Sequence, residues 1–111
     1  MKDLTKIEET ILISIWRLSG DAYGVTIKNQ IREMTNRDYL YNTLYTSLEQ
    51  LVKKGYVKKR FGDPTPTRGG KRKIFFDISE EGFKALKDSF EKQRSVWGGI
   101  SEDTFEKGII K

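Results

Sequence analysis

Neither cysteine nor histidine occurs among the 111 residues. Their absence excludes disulfides, thiol nucleophiles, Cys/His zinc sites, imidazole bases and Ser-His-Asp triads together. An enzyme on this chain would have to run on carboxylates, Lys, Tyr, Ser or Thr. The acid pairs Glu8-Glu9, Glu80-Glu81 and Glu102-Asp103 instead read as helix starts or surface positions, so no catalysis, metal or cofactor is expected. Long apolar runs are missing as well. The longest, Ile11 to Trp16, is broken by Ser14, whereas a membrane-spanning helix needs about 20 predominantly apolar residues. Asp3, Glu8 and Glu9 do not suit a secretory leader. These features predict a soluble, cytoplasmic protein. Proline is nearly absent too, and both copies, Pro64 and Pro66, fall in one stretch.

What the chain does have is positive charge, unevenly placed. Its formal net charge is +5, yet Lys53 to Lys73 holds nine basic residues against one acid, Asp63, so this segment carries +8 and the remainder −3. A pole of this kind marks a docking surface for polyanions, nucleic acid above all, the plain alternative being a solvated, lysine-rich hairpin. At 111 residues the chain suits a single small folded unit.

The apolar pattern divides that unit. Thr5-Lys6-Ile7-Glu8 has capping-box form. Behind it Ile7, Ile11, Ile15 and Leu18 recur at helical spacing, with Leu12 and Trp16 widening the stripe, which predicts a helix over 6–18. Asp21 suits the cap of a second helix over 23–34, with Ile27, Ile31 and Met34 on one face. A third helix is predicted over 41–54 from Leu44, Leu48 and Leu51, stopped by Gly55 after Lys53 and Lys54. The period then falls to two, predicting strands over 56–61 and 74–78, with Ile74, Phe76 and Ile78 on one face of the second. Ser79 caps a fourth helix whose Phe83, Leu86, Phe90 and Trp97 share a face before Gly98-Gly99 ends it, and the tail has room for one more helical turn.

Three helices followed by a basic hairpin is the order of a winged helix-turn-helix, an α+β, mostly α fold. The division expected is a DNA-binding unit over 1–78 and a dimerisation helix with tail over 79–111. The face of the third helix opposite its leucines carries Asn42, Thr46, Glu49 and Lys53, flanked by Thr43, Tyr45 and Gln50. Amide, hydroxyl and cationic groups at a helix N-terminus suit base edges and phosphates, although Asn42 and Thr43 also suit capping. Glu49 would either accept from a cytosine amino group or pair with Lys53. The run Arg68-Gly69-Gly70-Lys71-Arg72-Lys73 is not a P-loop. Thr65 stands where the first glycine belongs, and Arg72 where Ser or Thr belongs. Glycine-flanked cations on a hairpin suit a narrow minor groove instead.

Tyr23-Gly24, Thr43-Leu44-Tyr45 through Leu51, Lys54-Gly55-Tyr56-Val57, the Arg68–Lys73 run, Phe75-Phe76 and Ser79-Glu80-Glu81-Gly82 resemble the PadR family of winged-helix transcriptional regulators, over about Leu4 to Leu86. The resemblance implies a homodimer built on the C-terminal helix and the first helix, here Ile11, Ile15, Phe83, Leu86, Phe90 and Trp97. It also implies repression at an operator near the protein's own gene, relieved by a small molecule or stress. It further implies that Tyr45 holds a phosphate, Thr43 meets base edges, and Arg72 and Lys73 contact DNA from the wing. The whole candidate DNA-binding set is Tyr23, Asn42, Thr43, Tyr45, Thr46, Gln50, Lys53, Arg68, Lys71, Arg72 and Lys73. A two-fold axis would duplicate Trp16 and Trp97, which then either pack the interface, the simpler reading, or form a slot for a planar aromatic effector. The competing function is a winged-helix module that binds RNA or a protein without reading a duplex.

Overall fold

The computed structural model describes residues 3–62 and 72–108. Among them the chain runs α1 (Lys6–Leu18), α2 (Gly24–Thr35), α3 (Tyr41–Lys53), β1 (Val57–Phe61), β2 (Ile74–Ile78), α4 (Glu80–Val96) and α5 (Glu102–Gly108). Helix α1 starts with the expected reciprocal cap. The Thr5 hydroxyl accepts from the Glu8 amide at 3.2 Å, and the Glu8 carboxylate accepts from the Thr5 amide at 2.9 Å. Ser19, left-handed at φ 44°, closes the helix.

Helix α2 starts differently from expectation. Its N-cap is Tyr23, not Asp21. The Thr26 hydroxyl reaches back to accept from the Tyr23 amide at 2.9 Å and donates to the Asp21 carbonyl at 2.6 Å. A side chain within the first turn therefore takes over the capping work. Helix α3 ends where Gly55 at φ +80° lets the Gly55 and Tyr56 amides turn back onto the Val52 and Leu51 carbonyls.

The two strands form an antiparallel ribbon in the register Val57 with Ile78 through Phe61 with Ile74. Val57 and Phe76 enter the core, while Ile74 at the far end stays exposed. The ribbon is tied to the helices at its base. The Phe76 amide donates to the Ala22 carbonyl at 2.8 Å, and Arg60 bridges Asp77 and the Gly20 carbonyl. Ser79 then caps α4, accepting from the Gly82 amide and donating to the Gly55 carbonyl.

The core gathers Ile11, Leu12 and Ile15 of α1, Ile27 and Ile31 of α2, and Leu44, Leu48 and Leu51 of α3 against Val57 and Phe76. This corrects one expectation. Ile11 and Ile15 are 0% and 3% exposed within a single chain, so neither has surface left for a second copy. Among the described residues no helix is long and apolar enough to cross a membrane.

Candidate nucleic-acid interface

Helix α3 divides cleanly. Leu44, Leu48 and Leu51 are fully buried, while Asn42, Thr43, Tyr45, Thr46, Glu49, Gln50 and Lys53 are exposed. The exposed row therefore consists of the residue types the sequence singled out. The Thr46 hydroxyl donates to the Asn42 carbonyl at 2.8 Å. Its bond back into the helix orients its hydroxyl and methyl groups.

Tyr45 packs against the start of α2. A Cβ added at Gly24 would lie 2.1 Å from the Tyr45 hydroxyl oxygen, so the glycine admits the phenol tip to the α2 N-terminus. Tyr41 stacks on Tyr45 with ring centroids 6.3 Å apart, and the Lys28 ammonium lies 5.3 Å from the Tyr41 centroid. Tyr23, at the α2 cap, meets Phe75 of β2 edge-on at 5.5 Å, and the Lys73 ammonium lies 4.3 Å from its ring centroid. Tyr23, Tyr45 and Lys73 thus gather around the first turn of α2, where partly unsatisfied amides favour an anion.

Arg72 is exposed just before the outer end of β2, and Arg68 and Lys71 lie outside the described residues. Glu49 does not pair with Lys53. Its carboxylate meets Lys59 of β1 at 2.8 Å, because the ribbon folds back beside α3. Sequence reasoning gave no role to Gly24, Lys28, Leu40 or Tyr41. The i, i+4 pair of tyrosines at 41 and 45 and a glycine at a helix start were the available signals. Lys28 also pairs with Asp38. Its hydrogen bond, opposed by desolvation and aided by its charge, holds the Asp38 carboxyl below its usual value.

A second surface lies on the other side of α1. Ile13, Trp16 and Arg17 of α1 and Phe83, Leu86 and Phe90 of α4 line an open groove of about 570 Å³. Trp16, Phe83 and Phe90 stay 58%, 49% and 59% exposed. The side of α1 that faces outward is therefore Ile13 and Trp16, not Ile11 and Ile15. Trp97 does not line this groove, and its ring sits 6.0 Å from Phe105 of α5. Among the described residues no cluster of three or more Asp or Glu could hold a metal ion.

A buried three-helix core, a third helix with an exposed polar face and a basic ribbon tied to its base define a winged helix-turn-helix protein. The chain belongs to the PadR-like family of transcriptional regulators, whose family model matches residues 11–88. It is accordingly a DNA-binding regulator rather than an enzyme. Among solved structures it is similar to RosR-S1 of H. salinarum, solved as a complex, at 28% identity and TM-score 0.70 over 96% of this chain and 87% of that one. A transcriptional regulator from Clostridium thermocellum matches at 27% identity and TM-score 0.67, over 86% and 90% of the two chains. A PadR family transcription regulator from Clostridium difficile shares the fold at 22% identity and TM-score 0.66, over 92% and 97%. No curated protein matches the chain.

Proposed function

We propose that the protein is a homodimeric repressor that reads a near-palindromic operator in double-stranded DNA. The observation that carries this reading is the two-sided α3, with three leucines sunk in the core and an exposed row from Asn42 to Lys53. In this reading Asn42, Thr43, Thr46 and Gln50 meet base edges in the major groove, with Lys53 on the backbone. Tyr45, Tyr23 and Lys73 hold a phosphate at the α2 N-terminus, and Arg72, Arg68 and Lys71 reach from the wing. Residues 1–78 bind DNA and 79–111 dimerise, with Phe83, Leu86, Phe90 and Trp97 facing the second copy beside Ile13 and Trp16. A C2 dimer places its half-sites about one helical turn apart. The exposed indoles of Trp16 and Trp97 would close that seam, or accept a planar aromatic effector within it.

The test is a gel shift with the gene's upstream duplex against random duplex and single-stranded RNA at about 150 mM salt, where non-specific binding is weak. Preference for the upstream duplex is expected. Equal binding to all three would favour a module without duplex recognition. Replacing Arg72 and Lys73 by Ala should weaken all duplexes alike and reduce the salt slope by about 1 for each phosphate that is no longer neutralised. Light scattering that gave a stable monomer at micromolar concentration would remove the dimer.

A further inference from the structure

Leu40 is placed where neither folding nor helix formation has a use for it. It is the N-cap of α3, and its side chain makes no capping hydrogen bond. Leucine is among the poorest N-cap residues, since it offers no acceptor to the free amides of the first turn. Packing does not compensate. Leu40 is 73% exposed, against 1% or less for the three leucines of the same helix. An apolar side chain that neither caps nor packs has its apolar surface free for a contact outside the chain.

The backbone around it is held in place. The Lys28 ammonium donates to the Tyr39 carbonyl at 2.8 Å, pairs with the Asp38 carboxylate and lies 5.3 Å from the Tyr41 ring centroid. Tyr41 in turn stacks on Tyr45. Residues 38, 39 and 41 are thus tethered to one another through one lysine, and Leu40 stands out between them. It occupies the N-terminal end of α3, the end that meets base edges when such a helix enters the major groove. The apolar group a major groove presents is the C5-methyl of thymine.

We infer that Leu40 is a specificity-determining residue that packs on a thymine methyl at one position of each half-site, with Lys28 as the positioning residue that fixes its backbone. This rests on the DNA-reading role of α3 proposed above. Asn42, two residues further on, carries the side-chain amide that suits adenine N6 and N7, so the pair favours a half-site containing both thymine and adenine.

Uracil in place of thymine removes the methyl and nothing else, which isolates the contact. The full-length protein is first used to select binding duplexes from a random pool, which are then sequenced. Each thymine of the selected half-site is next exchanged singly for uracil, and affinities are measured for the wild type, Leu40→Ala and Leu40→Ser. One exchange should weaken wild-type binding roughly three- to five-fold, the value of burying about one methyl group. Both variants should bind the thymine duplex that much more weakly and be indifferent to the same exchange. Leu40→Ser supplies a good N-cap and should raise the melting temperature, so its loss of discrimination is not a folding defect. Lys28→Met should blunt the discrimination while Leu40 remains. Uracil exchanges that affect wild type and variants equally, or a selected half-site without thymine, would overturn the role of Leu40. Failure to select any duplex would instead overturn DNA reading by α3 itself.

Discussion

Helices α3 and α4 are both amphipathic, yet they end differently within one chain. Over 13 residues α3 buries Leu44, Leu48 and Leu51 completely. Over 17 residues α4 buries only Gly82 and Ala85, and every residue from Glu91 to Val96 is exposed. The difference lies in which elements surround each stripe. The stripe of α3 falls between α1, α2 and β1. Helix α4 sinks only Gly82 and Ala85, half-buries Leu86, and leaves Phe83 and Phe90 uncovered. An apolar stripe in sequence thus does not say that the chain itself covers it.

The largest expected effect separates the two stripes directly. Leu48→Ala should lower unfolding free energy by about 2–5 kcal/mol at any protein concentration, as deletion of a buried leucine does. Phe90→Ala should barely move the stability of the single chain, and instead shift the concentration at which a dimer dissociates. Chemical denaturation at two protein concentrations, with sedimentation alongside, measures both. A Phe90→Ala protein with unchanged association would show that the α4 face has no partner.

The next contrast compares two glycines that sit against close neighbours. A Cβ at Gly82 would stand 2.2 Å from the Tyr56 carbonyl oxygen, which is backbone and cannot step aside. Gly82→Ala should therefore cost about 1–3 kcal/mol despite the better helix propensity of alanine. At Gly24 the obstacle is the tip of a half-exposed tyrosine, which can swing away. Gly24→Ala should leave thermal stability nearly unchanged and weaken DNA binding, because Tyr45 is displaced from the α2 N-terminus. Equal melting-temperature losses in the two variants would contradict the distinction.

The two helices are also tethered, to α1 and to the segment before it, by ion pairs of different kinds. Lys54, just past α3, bonds both oxygens of the buried Glu8 at 2.9 and 2.8 Å. Lys92 of α4 meets Asp3 at 2.6 Å in the open. Burial alone would push the Glu8 carboxyl up. The Lys54 ammonium and the Thr5 amide outweigh it and hold the carboxyl below its ordinary 4.5. A depressed native value contributes stability above pH 4.5 that is lost as pH falls through that lower value. Lys54→Met leaves burial unopposed by the ammonium, so about 1–3 kcal/mol should be lost at pH 7, and the gap from the wild type should narrow as pH falls and Glu8 takes up its proton. Lys92→Met should leave the urea midpoint where it was. Urea titrations from pH 3 to 7 compare them.

Much of the fold was legible because its signals are local. The bounds of α1, the strand Ile74–Ile78, the Ser79 cap and the Gly55 stop all follow from spacing or from one residue's conformational freedom. The misreadings concern partners distant in sequence or geometry. Helix α1 has a core side and an outward apolar side, and a single wheel of isoleucines does not tell Ile11 and Ile15 from Ile13 and Trp16. The Thr26 cap depends on a side chain folding back over the Tyr23 amide. The exposed row of α3 could be read because its leucines mark the opposite side. Lys59, by contrast, reaches Glu49 only after the chain has turned at Gly55.

That pair supports the smallest and most discriminating prediction. Glu49 is the one acid on the exposed face of α3, and its bond to Lys59 joins that helix to the ribbon. Both side chains are substantially exposed, so Glu49→Gln should change folding stability by less than about 1 kcal/mol. Its effect on DNA should be larger in kind. The substitution removes a carboxylate from the face proposed to meet DNA and releases the Lys59 ammonium. Binding to random duplex should tighten a few-fold, and the salt slope should steepen by about 1 for each Lys59 that reaches a phosphate. With the ribbon no longer held to α3, preference for the operator over random sequence should fall. Glu81→Gln on α4 breaks an exposed pair with Lys84 on a helix outside the proposed reading face, and should do none of this. Fluorescence anisotropy across a salt series measures slope and preference together. An unchanged slope in Glu49→Gln would mean that Lys59 stays off the DNA, and that the pair only braces the wing.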